Sequence, residues 1–514
     1  MENTTPEKKT EIRTENNLKK WWVYEAEIQS LWFWWEWIAK IDDFVIFIKW
    51  WIPGQTVKFV LQKKKKTHWA WKIQEIIKKS SIEIEAKCKH FWKCGWCKWQ
   101  NLSYDKQLEF KDNQVKESLK HIWKFDLDLI KFSPILWSPL QYWYRNKSEF
   151  SFWYQEMRVE TDEKWEKTFF DTWESAWFHK PWKFQEIVDI ENCDLITDNA
   201  NQVFQLIKTE CLKHSKEVFN PISHQWLWRH ILIRETLQWE LMINLIVNLS
   251  QNKHKNQRFN TFLWELAIKL QNFWNWNWNS NWIQDWKLNY VKNFFYTNNS
   301  WLNDDWSKFE VHKIFWKEDF ITEKILWMEF KISAKSFFQT NSKWAEILYS
   351  KVKEYSDEVF KGSEKTNDKV FIDLYCWTWT IGQILAKWSD AQVIWIEYIE
   401  SAVKDARENS KLNELVNTEF ICWKVEEKLP ELLKEFHELD LIVIDPPRAW
   451  MHKKAIETIC ESWAKNLIYV SCNPSTFARD AQIFSELYQL EKVQPVDMFP
   501  HTSHIELVAK FKLK

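Results

Sequence analysis

The chain has 514 residues, 71 Lys and Arg against 72 Asp and Glu, and a formal net charge of −1. That length supports two to four domains, and the near-neutral balance means that any nucleic-acid contact must come from local patches. No run reaches the roughly 18 apolar residues of a membrane helix, and the opening MENTTPEKKTEIRTENNLKK lacks the apolar core of a signal peptide. A soluble, cytoplasmic protein is expected, with its nine Cys acting as reduced thiols, metal ligands or catalysts and not as disulfides.

A chain of this length would average about 36 Gly; this one has 4 Gly and 42 Trp. The Trp residues stand where glycine is expected: in the doublets Trp21-Trp22, Trp34-Trp35 and Trp50-Trp51, and in the turn-like WIPG at Trp51 to Gly54. The run NFWNWNWNSNW, Asn272 to Trp282, becomes an ordinary flexible loop when read with Gly. Aromatic side chains do not gather at turn positions. The expectation is therefore an alternative genetic code, in which UGA encodes glycine and has been translated as Trp.

After a tail at 1–20 expected to be disordered, residues 21–85 carry the alternating runs VYEAEI, DFVIFI, TVKFVL and SIEIEA, which predict a small β-barrel. The loop QKKKKTH, Gln62 to His68, forms a basic patch on it. A lysine run is usually only solvated, but on a small barrel such a loop tracks a phosphate backbone, so Lys63 to Lys66 are expected to meet RNA. Residues 86–330 mix strands (Ser148–Tyr154, His230–Glu235, Leu241–Leu249) with helices (Tyr104–Trp123, Ala200–Lys216), an α+β central domain without a clean repeat.

From 331 to 514 helices alternate with short apolar strands. The helices are Lys343–Val359, Ile381–Lys387, Ile399–Leu412, His452–Lys465 and Thr476–Leu487; the strands are Val370–Tyr375, Gln392–Glu397, Leu441–Asp445 and Asn466–Ser471. This order predicts an α/β domain with a doubly wound, mostly parallel sheet, and a ligand beyond the carboxyl ends of its strands.

Three constellations carry chemistry. Cys88, Cys94 and Cys97 in CKHFWKCGWCKWQ can wrap one soft metal centre, with Cys193 in DIENCDL a candidate fourth ligand; spacing alone leaves zinc and an iron-sulfur cluster equally open. DLYCWTWT, read as DLYCGTGT, is a strand followed by a glycine turn, and Glu397 ends the next strand about 20 residues on, which suits an adenosine ligand. DPPR at Asp445 to Arg448 and YVSCNP at Tyr469 to Pro474 end two strands, so Asp445 and Cys472 both face the ligand crevice. A lone Cys there is often just a small buried hydrophobe, but HTSHIELV, His501 to Val508, offers Glu506 as a carboxylate companion.

FFQTN (Phe337 to Asn341), DLYC, DPPR, VSCNP and the terminal H-x-x-H-x-E resemble the bacterial RNA uracil-C5 (5-methyluridine) methyltransferases, as do YRNK (Tyr144 to Lys147), FHKPW (Phe178 to Trp182) and the cysteine string upstream. The resemblance covers about 20 to 514, and nearly every departure is a Trp at a family glycine. It implies an OB-like TRAM barrel, the central RNA-binding domain and a Rossmann-like methyltransferase domain. It implies Cys472 as nucleophile toward uracil C6 and Glu506 as the base that removes the C5 proton. S-adenosyl-L-methionine would be held by Gln339, Tyr375, Thr380, Glu397 and Asp445, and a [4Fe-4S] cluster by Cys88, Cys94, Cys97 and Cys193. Where some members place an Asn near the adenine this chain has Lys424, to which no role carries over. Cys211, Cys376, Cys422 and Cys460 are expected to be packing residues.

The TRAM-like barrel and the cysteines point to 23S ribosomal RNA as substrate, with no membrane and no obligate protein partner, for a monomeric enzyme. The alternatives are a transfer-RNA uracil-C5 methyltransferase and a non-catalytic RNA-binding protein that kept the fold.

Overall fold

The computed structural model describes residues 22–514 except 32–36, 42–43, 49–51, 65–68, 156–158, 162–166, 170–172, 181–182, 222, 250–254, 278–290, 303–304, 316–317, 362–368, 376–379, 390, 437 and 447–450. The tail at 1–20, both partners of the doublets Trp34-Trp35 and Trp50-Trp51, and Trp377 and Trp379 of the glycine-like turn lie outside the described residues.

Five strands come first: β1 (Val23–Leu31), β2 (Trp37–Ile41), β3 (Phe44–Ile48), β4 (Thr56–Lys64) and β5 (Trp69–Lys78). They form one antiparallel sheet in the order β3-β2-β1-β4-β5, with β3 returning alongside β5. Alternation sets the inner face of β4, where Val57 and Phe59 are fully buried and Lys58 is not. Gly54 takes φ 81 in the turn before β4, and a Cβ there would press on Ser80 Oγ at 2.9 Å. The lysine run is not wholly a loop: β4 continues through Lys64, with Lys63 opposite Ala70 and Lys64 opposite Trp69, and 65–68 lie outside the described residues.

Helix α1 (Tyr104–Ser118) ends in a π-helical turn, Leu119–Trp123, and β6 (Lys131–Phe132) follows. Then come β7 (Lys147–Gln155), the small hairpin β8 (Val159–Thr161) and β9 (Lys167–Phe169), β10 (Trp173–Lys180), β11 (Lys183–Val188) and α2 (Asp198–His214). After them come β12 (Trp228–Glu235), β13 (Leu241–Val247), α3 (Lys255–Asn277), β14 (Val291–Asn298) and β15 (Val311–Phe315). The larger strands make a seven-stranded sheet, β11-β10-β7-β12-β13-β14-β15, in which only the β13–β14 pair is parallel. The expected loop at Asn272–Trp282 is helical as far as Asn277. With Trp at 274 and 276 the helix continues, whereas glycine would cost about 1 kcal/mol per residue there.

A hairpin of β16 (Phe320–Ile325) and β17 (Met328–Ser333) leads to α4 (Ser342–Phe360). The alternating region is β18 (Val370–Leu374), α5 (Thr380–Lys387), β19 (Gln392–Glu397), α6 (Glu400–Leu412), β20 (Thr418–Cys422), α7 (Val425–Leu432), β21 (Leu441–Ile444), α8 (Lys453–Glu461), β22 (Asn466–Ser471), α9 (Pro474–Phe484), β23 (Tyr488–Val496) and β24 (Glu506–Leu513). These strands and β6 form an eight-stranded sheet, β20-β19-β18-β21-β22-β24-β23-β6; β24 runs antiparallel to both its neighbours, the rest parallel. Both faces are covered. Phe371, Val393, Trp395, Leu441 and Val443 join a core continuous with the central sheet. Ile372, Leu374, Ile394, Ile396, Ile442 and Ile444 face the other way, onto α7 to α9 and onto Val115, Leu119 and Trp123 of α1 and its π-turn.

Ten described non-glycine residues have clearly positive φ, and four are Trp: Trp143 (54°), Trp239 (66°), Trp327 (68°) and Trp463 (53°). Three of them sit where chain geometry asks for glycine. Leu326 and Trp327 form the two-residue turn between the paired Ile325 and Met328, and Trp239 closes the turn between β12 and β13. Trp463 follows the αR residue Ser462 that caps α8, the usual left-handed glycine position. All four side chains are exposed, Trp327 almost completely at 97%.

Candidate active site

In the parallel part of the sheet Ile396, Leu374, Ile444 and Tyr469 lie side by side. The residues that follow the first three, Glu397, Tyr375 and Asp445, therefore emerge at one edge, the carboxyl end where α/β sheets bind ligands. Glu397 Oε1 accepts the N–H groups of Tyr398 (2.9 Å) and Ile399 (3.0 Å), which fixes the carboxylate at the start of α6, and burial raises its pKa. Burial pushes Asp445 up to about 7, reinforced by the carboxylate of Asp373. Asp445 keeps a partly exposed surface, as a residue on a crevice floor does. Tyr375 has φ 62 as the chain leaves β18, a left-handed conformation uncommon for a bulky residue. Its phenol is held neutral by burial and by Glu426, Asp480 and Glu397.

Thr380 opens α5 and is fully buried. Two residues on, Gly382 packs so closely that a Cβ would fall 2.0 Å from Trp395 Nε1 and 2.6 Å from Asp373 Oδ2. Trp395 is fully buried, stacks on Phe420 with centroids 4.4 Å apart, and donates from Nε1 to Asp373 Oδ2 at 2.9 Å. It is a strand residue and not part of a turn.

Cys472 directly follows β22, and Glu506 opens β24. Because Ser471 pairs with Leu507 in antiparallel register, Cys472 stands opposite Glu506. The thiol is partly accessible and the carboxylate residue buried. Asn473 caps α9 by accepting the N–H groups of Ser475 and Thr476, so Cys472 is the residue just before the cap of an 11-residue helix, whose amide dipoles favour nearby negative charge.

Gln339 lies on the segment between β17 and α4, anchored through its carbonyl by Asn146 Nδ2 (2.9 Å). Two residues later Asn341 caps α4 and donates from Nδ2 to Met498 O (2.8 Å), tying this segment to the loop before Glu506. Of DPPR, Pro447 and Arg448 lie outside the described residues, as does Cys376. Lys424 is an exposed N-cap of α7 beside Glu427. Cys211 is fully buried, but Cys422 is no packing residue: it ends the edge strand β20 exposed, because that strand has a neighbour on one side only.

The four cysteines expected as metal ligands converge. Cys94, Cys97 and Cys193 are buried and Cys88 partly so. Burial, with the repulsion of neighbouring thiolates, pushes Cys94 up to about 12 and Cys193 to about 11 and raises Cys97 as well, and burial with the Asp194 carboxylate raises Cys88. Gln100 braces the arm, donating from Nε2 to Cys97 Sγ (3.2 Å) while its Oε1 accepts the Cys88 N–H (3.0 Å). Among the described residues no group of three or more His, Cys, Asp or Glu is arranged to hold a metal ion as it stands. The donor set still suits soft-metal chemistry: four thiols within electrostatic reach of one another.

The fold has a counterpart in the tRNA (uracil-54, C5)-methyltransferase of Pyrococcus abyssi, solved with S-adenosyl-L-homocysteine: TM-score 0.65 and 22% identity, covering 95% of this chain and all of that one. The architecture is thus a Rossmann-like α/β fold of the methyltransferase type. The sequence signature of the tRNA (Uracil-5-)-methyltransferase family matches residues 306–511. An RNA methyltransferase of Bacteroides thetaiotaomicron is 32% identical over 482 residues, 93% of this chain and 98% of its own, and one from Caldanaerobacter subterraneus is 34% identical over 462 residues, 89% and 91%. The chain belongs to the RNA uracil-C5 methyltransferase family and is an S-adenosylmethionine-dependent enzyme.

Proposed function

We propose that Cys472 and Glu506 carry out uracil-C5 methylation of 23S ribosomal RNA, and the observation that supports this best is their placement opposite each other at the strand ends beside Asp445. Cys472 Sγ adds to C6 of the uracil, shifting the C5–C6 π electrons toward C5, which becomes nucleophilic. S-adenosylmethionine supplies the methyl group to C5 and leaves as S-adenosylhomocysteine. Glu506 then takes the C5 proton, the C–H pair re-forms the C5–C6 double bond, and the C6–Sγ bond breaks to release the thiolate. Gln339, Tyr375, Thr380, Glu397 and Asp445 hold the methyl donor, with Glu397 receiving ribose hydroxyls. The target uracil must leave its stack, at a cost of about a few kcal/mol, offset by contacts from the amino-terminal sheet and its lysines.

Cys88, Cys94, Cys97 and Cys193 would hold a [4Fe-4S] cluster with a structural or RNA-binding role in a cytoplasmic monomer. Methyl transfer needs no electron from it. A transfer-RNA substrate is the second reading, favoured by the fold shared with the Pyrococcus abyssi enzyme along 95% of this chain. Labelled methyl donor offered to unmodified 23S ribosomal RNA and to unmodified transfer RNA separates the two. Label on ribosomal uracil C5 alone is expected, and label on transfer RNA alone overturns the ribosomal assignment.

The four left-handed Trp residues support the codon reading, since glycine carries no penalty at positive φ. UGA is expected in the gene at positions 143, 239, 327 and 463; UGG at these positions removes the idea. Assays of function accordingly use the full-length chain with glycine at the UGA-encoded positions.

A further inference from the structure

The loop between β23 and β24, residues 497–505, delivers Glu506 to the site, and it is held mostly by residues far away in sequence. Asp497 accepts from Tyr104 Oη (2.8 Å) and Lys111 Nζ (2.5 Å), and Lys111 and Asp497 side chains are both 0% exposed. Lys111 Nζ also donates to Phe499 O (2.9 Å). One turn earlier on α1, Gln107 Oε1 accepts the His501 N–H (2.7 Å) and its Nε2 faces His501 Nδ1 (3.2 Å). The His501 carbonyl accepts the N–H groups of Lys98 (2.8 Å) and Trp99 (3.0 Å), which directly follow Cys97. Gln107 Nε2 also donates to Trp99 O (2.9 Å), so one side chain grips both the cysteine arm and the loop.

We propose that Lys111 and Gln107 are positioning residues for Glu506, fixing the loop so that the carboxylate meets the C5 proton after methyl transfer. They sit four apart on one face of α1, and their hydrogen bonds go to the loop and the arm, not to Cys472 or Glu506. A buried ammonium with two loop oxygens as partners holds the loop in place, and a buried amide whose Oε1 accepts the His501 N–H while its Nε2 donates to Trp99 O and Leu102 O has its rotation fixed. A base must lie within hydrogen-bond reach of the proton it takes, and displacement of about 1 Å costs on the order of a hundredfold in rate. Their loss should therefore slow proton removal and thiol elimination more than RNA binding or methyl transfer.

This inference rests on the assignment of Cys472 and Glu506, and the test separates the two. Full-length enzyme, ribosomal RNA and labelled S-adenosylmethionine are mixed, and the covalent protein–RNA adduct that survives denaturation is measured beside kcat and KM. Glu506→Gln should accumulate methylated adduct. Gln107→Leu and Lys111→Met should accumulate it too, with kcat about tenfold lower, an unchanged KM for RNA, and recovery toward wild type in Lys111→Arg. Wild-type turnover in Gln107→Leu, or kcat and adduct falling together, overturns the positioning role. Gln107→Leu removes no charge and carries the test if Lys111→Met does not fold. No adduct even with Glu506→Gln overturns the underlying chemistry and the positioning role with it.

Discussion

The crevice at the strand ends and the cysteine arm with its loop are built by opposite means. The crevice follows from backbone topology: parallel strands in register bring Tyr375, Glu397 and Asp445 to one edge, Tyr375 and Asp445 a single residue past a paired position and Glu397 at the last pair of its strand. The arm and the 497–505 loop have no ladder of their own and are fixed by buried side chains, Gln100, Gln107, Lys111 and Asp497. The crevice should therefore tolerate single side-chain changes better than the arm and the loop, whose order is concentrated in a few hydrogen bonds.

The sharpest way to separate the two regions is in the rate. Glu506→Gln should lower turnover about 10²- to 10⁴-fold, the range for a lost general base, while S-adenosylmethionine binding in the crevice persists. Binding measured by calorimetry that disappears together with turnover would show the two regions to be one unit. Next in size is Lys111→Met, which strands the buried Asp497 and should destabilise the chain by about 3–5 kcal/mol in denaturant unfolding. A loss under about 1 kcal/mol, the level of an exposed pair, would mean that the loop does not depend on this contact.

Asp445 tests the crevice. A carboxyl raised to about 7 keeps its proton in the folded chain where the unfolded chain has released it, so its contribution to stability is present at low pH and lost as pH rises from about 4 through 7. Asp445→Asn should flatten that decline and raise Tm at pH 8 by about 2–4 °C; an identical pH profile in the variant would contradict the assignment. The smallest effect belongs to a turn outside both regions. In the chain as written, Trp327→Gly should stabilise by about 1 kcal/mol because it relieves a left-handed non-glycine residue, and a loss of stability in thermal melts would argue that the indole belongs there.

The sequence made the strand frame readable because apolar runs bounded by turns define it: Gln392–Glu397 and Asn466–Ser471 are strands with those limits. It did not reveal β20, whose TEFIC is an exposed edge with no continuous apolar run, nor α7, interrupted by Pro430, nor the two-residue β6. VSCNP and H-x-x-H-x-E were readable as motifs, but the register that sets Cys472 against Glu506 depends on an antiparallel pairing that neither motif encodes. Lys111 and Gln107 carry no sequence signal of burial, yet both are fully buried. Only tertiary packing makes them interior residues, and a helical period has no signal for a buried ammonium whose partner lies 386 residues away.

The central claim is that Cys472 attacks uracil and Glu506 releases it. The direct test is methyl transfer from labelled S-adenosylmethionine to unmodified ribosomal RNA by the full-length enzyme and by Cys472→Ala. Label on uracil C5 is expected with the parent enzyme and none with the variant. Label on a ribose or on cytosine, or full activity in Cys472→Ala, would contradict that claim.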